Sequence, residues 1–265
     1  MTCGVFGPGL VGCFLGAAAG APWVVAGISG RPRATRVRLG QRVVTWTPEV
    51  IPTPRADLPL LVTTRVHRTP WESLPTEVLA AQNGLGQPRP VATCVFAVDL
   101  DADGVLHATG PRPRVVVGPL SAVWSPVLRA WEAAGIQVDQ VADPRGAQWE
   151  KAVLNATVGP LCLATGRTMA AVWDDPVLRQ LALEATAEGE ALGRAAGLPL
   201  APNMVDRATA FFAAVGDHHP SVMRDAGELP WVLGALLAAA DRQRATTPAL
   251  RHIAVLVAKR LAASG

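Results

Sequence analysis

Two polar side chains, Lys151 and Asn155, stand four residues apart in an otherwise apolar stretch of the chain, KAVLNATVGPL. Only two of the 24 basic residues are lysines, so a general need for surface charge does not explain a lysine here. A lysine in apolar surroundings can release a proton, whereas an arginine stays charged. Because residues four apart share one face of a helix, the pair predicts a site that polarises a substrate oxygen. The alternative is a lysine at the edge of a core whose ammonium reaches solvent.

The amino-terminal residues carry the fingerprint of a dinucleotide-binding unit. Residues 2–6 predict a short buried strand, residues 13–19 predict a packed helix, and a glycine-rich turn lies between them. That turn consists of Gly7, Pro8, Gly9, Leu10, Val11 and Gly12. In this motif the first glycine makes the turn, the second lets the backbone approach a pyrophosphate, and the third lets helix and strand pack closely. The alternative is a glycine-rich turn that binds no nucleotide.

The residues after the second predicted strand, 23–28, indicate which nicotinamide cofactor binds. An NAD-binding unit usually has Asp or Glu here to hold the ribose hydroxyl, but this chain has no acidic residue before Glu49. Ser29 and Arg31, with Arg33 as a further candidate, instead suit the 2′-phosphate of NADPH. We therefore expect NADPH, and the alternative is a solvated basic loop.

Composition and charge exclude several other classes. Half of the 265 residues are hydrophobic, and a net charge of +3 is too small to favour nucleic acid as a partner. Residues 2–30 carry no charge, but glycines interrupt them and no basic segment precedes them, so neither a membrane span nor a signal peptide is predicted. The four cysteines lack metal-ligand spacing and indicate buried, reduced thiols. The expected location is the cytoplasm.

Two features imitate metal sites. Residues 99–104 open like an EF-hand loop, but the twelfth position is Gly110 instead of a glutamate. His218 and His219 are adjacent and have no third candidate ligand near them in the sequence. No metal site is predicted.

The apolar pattern changes character near residue 145. Before that point, strands are predicted over residues 35–38, 42–47, 60–63, 91–98, 104–109, 114–117 and 137–141, and helices over 73–81 and 120–134. After it, apolar residues recur at three- and four-residue steps, which predicts helices over 148–163, 176–196, 204–215, 229–244 and 248–262. The predicted fold class is α/β, with an N-terminal Rossmann-type NADPH-binding domain over residues 1–145 and an all-α substrate and catalytic domain over 146–265. Lys151 is expected on the first helix of the second domain, facing the cleft.

With these motifs described, the chain resembles the ketopantoate reductase (2-dehydropantoate 2-reductase) family along nearly its whole length. The similar residues are the GPGLVG turn, Arg31, the Asn83-Gly84-Leu85-Gly86 turn, the WEKAVLN stretch with Lys151, and a carboxy-terminal block with Ser221, Glu228, Gly234 and Pro248. The resemblance implies an NADPH-dependent oxidoreductase that reduces ketopantoate or another 2-oxo acid in pantothenate biosynthesis. It also implies a monomer or homodimer.

By the same resemblance, Lys151 is the general acid, and Glu228 holds the substrate and orients the lysine. Asn83, Asn155 and Ser221 bind polar groups of the substrate, with Asn83 between substrate and nucleotide. Arg65 stands where the family has a lysine at the cofactor.

The departures from the family pattern concern the substrate side. Gly159 stands where a second asparagine is usual, Leu233 replaces another asparagine, and Pro230 replaces an aspartate. The stretch between Asp225 and Glu228 is also shorter. We expect Gly159 to open space for a bulkier substrate or a water, so that a bulkier 2-oxo acid is reduced more efficiently than ketopantoate.

Other functions remain open at this point. The chain has no tyrosine, which excludes the tyrosine-lysine mechanism of short-chain dehydrogenases. The β-hydroxyacid dehydrogenase and imine reductase group, which also has a helix-borne lysine near an asparagine, is the closest enzymatic alternative. The alternative of another class is a non-catalytic NADPH-binding sensor, which Gly159 favours and Lys151 opposes.

Overall fold

The structure, a computed structural model, describes residues 2–26 and 31–263. They form two compact units. The first contains the residues up to Gln82 together with Gln87–Pro144, and the second contains Asn83–Gly86 together with the residues from Arg145 onward. The short segment Asn83–Gly86 thus belongs to the carboxy-terminal unit, although the sequence places it well inside the amino-terminal half.

A five-stranded parallel sheet is the centre of the first unit. Its strands are β1 (Gly4–Phe6), β2 (Trp23–Val25), β5 (Glu49–Ile51), β6 (Leu60–Val62) and β7 (Val78–Ala80). They lie in the order β5-β2-β1-β6-β7, and each pair of neighbours is parallel. Counted along the chain this order is 3-2-1-4-5, which is that of a Rossmann sheet. Helix α1 (Leu10–Ala19) connects β1 to β2.

A second, mixed sheet completes this unit. It contains β3 (Arg36–Leu39), β4 (Arg42–Thr45), β8 (Ala92–Leu100), β9 (Leu106–Val117) and β10 (Gln137–Gln140). The long strands β8 and β9 form an antiparallel hairpin, and helix α2 (Ser125–Ala133) precedes β10. Trp131 of α2 donates a hydrogen bond to the Leu15 carbonyl of α1, 3.1 Å away. The two helices therefore share one core, in which both side chains are fully buried.

The structure corrects several predictions for this unit. The helix predicted over residues 73–81 is wrong, because Trp71–Ser73 is a short 3₁₀ turn and Val78–Ala80 is the buried strand β7. Three consecutive apolar residues are too few for periodicity to separate a strand from a helix. Strand β5 was not predicted, for the same reason. The two strands predicted over residues 104–109 and 114–117 are one continuous strand, β9.

The second unit is helical. Its helices are α3 (Arg145–Thr165), α4 (Met169–Asp174), α5 (Pro176–Ala195), α6 (Met204–Val215), α7 (Leu233–Gln243) and α8 (Pro248–Ala262). Helix α3 packs against α5, α7 and α8 and carries many of the buried residues. The helix predicted to begin at residue 229 begins at Leu233 instead, because Ala226–Trp231, which contains Pro230, forms a 3₁₀ segment. Helix α4 was not predicted.

The predicted fold class is confirmed: a Rossmann-type α/β region is followed by an all-α region. Among the helices of the described ranges, none is both long enough and apolar enough to cross a membrane.

Candidate active site

The glycine-rich turn lies between β1 and α1, and its glycines differ in their surroundings. Gly7 has a φ of +86°, and a Cβ on it would lie 2.9 Å from the Thr64 nitrogen. A Cβ on Gly12 would collide with the Thr63 hydroxyl and lie 2.7 Å from the Gly7 carbonyl oxygen. A Cβ on Gly9 would meet nothing within 4 Å. Neighbouring atoms therefore leave no room for a side chain at Gly7 or Gly12. Gly9 faces open space, which fits the close approach of a pyrophosphate.

One threonine that the sequence analysis did not consider as a site residue, Thr63, holds this turn. Thr63 directly follows β6, the strand beside β1, and its N–H bonds the Phe6 carbonyl at 2.9 Å. The Thr63 hydroxyl donates to the Gly7 carbonyl at 2.6 Å. The sequence does indicate that a threonine ends a buried strand. It does not indicate the strand order that brings this threonine beside the glycines.

The loop that carries Arg65 is braced by a network of side chains. The Thr69 hydroxyl donates to the Arg65 carbonyl at 2.9 Å, so it accepts the hydrogen bond from the Thr64 hydroxyl at 2.8 Å. The Gln82 amide, just after β7, donates to the Thr64 carbonyl at 2.8 Å and to the Thr69 hydroxyl at 2.7 Å. The loop after β6 is thus tied to the end of β7. Because parallel strands end at one edge of a sheet, Arg65 and the glycine turn occupy the same edge.

The basic segment after β2 adjoins the glycine turn through its backbone. The Arg33 N–H donates to the Pro8 carbonyl at 3.2 Å, and the side chains of Arg31 and Arg33 are both exposed. Ser29 lies outside the described residues. The two arginines are accordingly accessible to an anionic ligand beside the turn.

The buried cysteines of both units are protonated thiols. Burial raises the pKa of Cys3 and of Cys162 to about 12. Burial likewise raises the pKa of Cys13, whose thiol donates to the Pro8 carbonyl at 3.2 Å. The prediction of buried thiols is confirmed for these three, whereas Cys94 is half-buried. Within the described ranges, no three His, Cys, Asp or Glu residues cluster as metal ligands would.

In the second unit, Lys151 and Asn155 lie one turn apart on α3, and both are half-buried. The Lys151 ammonium lies 5.7 Å from the ring centroid of Phe211 on α6. This distance is in the range of a cation–π interaction. Phe211 is a residue that the sequence analysis missed, since nothing in the sequence relates α6 to α3.

Three other candidate residues come together, although Asn83 is far from Ser221 and Glu228 in the sequence. The Ser221 hydroxyl donates to the Glu228 carboxylate at 2.8 Å. The Asn83 amide donates to Ser221, at a longer 3.5 Å. Glu228 is only 7% exposed. Asn83, Ser221 and Glu228 therefore form one chain of hydrogen bonds that ends on a buried carboxylate.

The turn that carries Asn83 is fixed against the segment that carries Glu228. The Leu85 N–H donates to the Trp231 carbonyl at 2.9 Å. Gly84 has a φ of +95°, and a Cβ on it would lie 2.7 Å from that same carbonyl oxygen. The Gln148 amide of α3 approaches the Gly84 carbonyl at 3.5 Å. A glycine is therefore required at position 84, both for the backbone conformation and for the close approach.

Comparison with known proteins agrees with this arrangement. Residues 143–260 match the model of a protein family described as ketopantoate reductase PanE/ApbA C terminal. A 2-dehydropantoate 2-reductase of Mesorhizobium japonicum is 30% identical over 145 residues. The carboxy-terminal part of the chain is therefore similar to that of ketopantoate reductases. The match to the Mesorhizobium protein covers 53% of this chain and 44% of that relative, so it spans less than half of the relative's length.

Solved structures of ketopantoate reductases and related enzymes have the same fold. A 2-dehydropantoate 2-reductase from Methylococcus capsulatus is 21% identical, with a TM-score of 0.78 over 100% of this chain and 98% of the other. A D-mandelate dehydrogenase, solved with NADH and anilino(oxo)acetate, is 16% identical, with a TM-score of 0.79 over 98% of each chain. At such identities these similarities establish the fold.

Two departures from the usual ketopantoate reductase sequence lie at packed positions. Leu233 is 4% exposed and belongs to the helical core. Gly159 is buried, and a Cβ on it would lie 3.4 Å from Val222 Cγ1 and 3.8 Å from Pro220 Cβ. A methyl group at position 159 would thus make ordinary contacts with Val222 and Pro220, which bound this side of α3. The expected preference for a bulkier substrate stays a prediction.

Proposed function

We propose that this protein is an NADPH-dependent reductase of a 2-oxo acid, with Lys151 as the general acid. The observation that carries the proposal is the hydrogen-bonded chain of Asn83, Ser221 and Glu228, formed in the same compact unit as Lys151 and Asn155. These five residues are the ones that the family resemblance assigns to substrate and catalysis. The hydrogen-bonded chain is not explained as a requirement of the helical core, because Asn83 and Ser221 are only half-buried.

The residues of the amino-terminal unit suit a bound NADPH. The turn from Gly7 to Gly12, with Pro8, Leu10 and Val11 in it, would hold the pyrophosphate against the start of α1. Arg31, and Ser29 in the adjoining segment, would bind the 2′-phosphate, and Arg65 and Asn83 would contact the nucleotide from other sides. When bound, the cofactor supplies a hydride for the carbonyl carbon. The absence of acidic residues before Glu49 favours NADPH over NADH.

Lys151 would give its proton to the carbonyl oxygen as the negative charge develops there. Such a proton transfer contributes about 10²- to 10⁴-fold to the rate. Asn155, one turn away on the same helix face, would orient the same oxygen or the neighbouring carboxylate through its amide.

The directions of the hydrogen bonds among Asn83, Ser221 and Glu228 limit which substrate groups these residues can bind. The single hydroxyl hydrogen of Ser221 is donated to Glu228, so Ser221 and Glu228 can offer a substrate only acceptor oxygens. They would therefore bind a substrate hydroxyl or a protonated group. The Asn83 amide has both donors and an acceptor, and it would bind polar groups of the substrate.

The remaining proposals follow the family. We infer that the protein acts in the cytoplasm on a small-molecule 2-oxo acid, in or near pantothenate synthesis, as a monomer or homodimer. The division of labour between residues 1–145 and 146–265, with cofactor binding in the first and catalysis in the second, is part of the same proposal.

Steady-state oxidation of NADPH across a panel of 2-oxo acids tests the function directly. Turnover of at least one 2-oxo acid, abolished in Lys151→Ala, is the expected result. Binding of NADPH without turnover of any carbonyl compound would support the sensor, and preferential turnover of imines or 3-oxo acids would support the β-hydroxyacid dehydrogenase and imine reductase group.

A further inference from the structure

We infer that Phe211 forms the apolar wall of the substrate site and selects 2-oxo acids with an aromatic or bulky apolar substituent. The inference rests on the proposed function, because it takes Lys151 as the group that meets the substrate carbonyl. Phe211 lies on α6, and none of the catalytic or substrate-binding residues proposed above lies on that helix.

The ring of Phe211 is the outer end of a row of aromatic side chains. It meets Phe212 edge-on at 5.4 Å between centroids, and Phe212 meets Trp173 at 5.3 Å. Phe212 and Trp173 are 2% and 7% exposed, whereas Phe211 is only half-buried. The inner two rings therefore belong to the core, and Phe211 presents an aromatic surface at its edge, next to Lys151.

An ion pair between α6 and α3 fixes the position of the Phe211 ring. Arg207, one turn before Phe211 and on the same face of α6, donates to the Glu150 carboxylate at 2.8 Å. Glu150 also accepts the Ala201 N–H at 2.7 Å, and its side chain is only 14% exposed. Since Glu150 is the residue next to Lys151, this ion pair sets the register in which Phe211 meets the lysine.

The distance between the Phe211 ring and the Lys151 ammonium allows a substituent of the substrate to contact the ring. A carbonyl oxygen that accepts a proton from Lys151 lies about 3 Å from its nitrogen. With that nitrogen 5.7 Å from the ring centroid, a carbonyl on the Phe211 side places its substituents in van der Waals range of the ring. The ring offers no hydrogen bond to a polar substituent, whereas it pairs favourably with an aromatic or branched apolar one.

A matched pair of unreactive ligands tests this independently of turnover. Oxamate mimics a small 2-oxo acid, and N-phenyloxamate differs from it by one phenyl ring. With the NADPH complex in a calorimeter, we expect N-phenyloxamate to bind at least about tenfold more tightly than oxamate. In Phe211→Ala this preference should fall to about threefold or less, and Phe211→Leu should lie between. Thr209→Ala, on the exposed part of α6, is the control and should keep the wild-type preference.

The same comparison in turnover uses phenylglyoxylate and ketopantoate as substrates. The ratio of their kcat/KM values should favour phenylglyoxylate in the wild type and fall in Phe211→Ala, mainly through KM. Equal affinity for the two oxamates in the wild type would overturn the inference. So would an equal loss for both ligands in Phe211→Ala, since that result assigns the ring to positioning Lys151 alone. If both oxamates bind as expected but no 2-oxo acid is turned over, the proposed reductase function is wrong. The assignment of Phe211 as an apolar wall of the binding site is then retained.

Discussion

The Ser221 hydroxyl donates its only hydrogen to the buried carboxylate of Glu228, at 2.8 Å. A buried carboxylate needs such partners, because an unpaired charge away from water is strongly unfavourable. The segment from Ser221 to Glu228 folds back through Asp225, whose side chain accepts the Gly227 N–H at 3.0 Å. The shortened stretch between Asp225 and Glu228 therefore still brings the carboxylate to the serine.

The Ser221–Glu228 pair predicts coupled effects of mutation. Ser221→Ala and Glu228→Gln should each lower kcat/KM about 10- to 100-fold, because a hydrogen bond to a charged group contributes about 1.5–3 kcal/mol. The double variant should lose little more than the worse single variant, since the two act as one unit. Steady-state kinetics measure the effect, and NADPH titration serves as the control for folding. Fully additive losses would show that the two residues act separately.

Lys151 is predicted to act on the chemical step. Lys151→Ala should lower kcat by about 10²- to 10⁴-fold, the usual contribution of a positioned proton donor. Lys151→Arg should restore little, because a guanidinium keeps its proton. Single-turnover kinetics at saturating NADPH isolate the step, and cofactor affinity should stay within about twofold of the wild type. Full activity of the alanine variant would remove Lys151 from the mechanism.

Cofactor choice is predicted to depend on the exposed arginines beside the glycine turn. NADPH should bind at least about tenfold more tightly than NADH, because one charge-assisted hydrogen bond is worth about that much. Arg31→Ala should reduce this difference in affinity, because it should weaken the binding of NADPH and leave that of NADH unchanged. Fluorescence titration with both cofactors measures it, and equal affinities in the wild type would contradict the assignment.

The sequence predicted best what depends on long or tightly constrained patterns. Helices α5, α6 and α8 were placed within a residue or so of their ends, because many turns of apolar periodicity agree with one another. The glycine turn was recognisable because each glycine has a separate steric reason. Strands β5 and β7 were missed because three residues carry almost no periodic signal.

The contacts within the site depended on tertiary packing. Nothing in the sequence related Phe211 to Lys151, or Gln82 to the loop of Arg65. The surroundings of Gly159 depended on tertiary packing as well, because Val222 and Pro220 of a distant segment lie at contact distance from the position of a Cβ.

Thr63 is predicted to stabilise the cofactor turn. Thr63→Val removes the hydroxyl that bonds the Gly7 carbonyl at 2.6 Å but retains the branched shape. It should lower the free energy of unfolding by about 1 kcal/mol and weaken NADPH binding severalfold, because the turn loses its brace. Thr63→Ser keeps the hydroxyl and is the matched control. Denaturant unfolding and cofactor titration give the two values, and identical behaviour of the valine and serine variants would argue against the brace.

Gly159 is predicted to tolerate a methyl group and to reject a longer side chain. In Gly159→Ala the new Cβ meets Val222 Cγ1 at 3.4 Å, an ordinary contact. Replacing a glycine inside a helix by alanine should then raise the free energy of unfolding by up to about 1 kcal/mol. We expect the longer side chain of Gly159→Asn to displace Val222 and Pro220, which flank Ser221 on either side. It should therefore lower kcat/KM for every substrate by loosening the Ser221–Glu228 pair, with NADPH affinity unchanged. A selective gain in ketopantoate turnover in the asparagine variant would contradict this, since it would mean that the site around Gly159 has room for an amide that binds substrate.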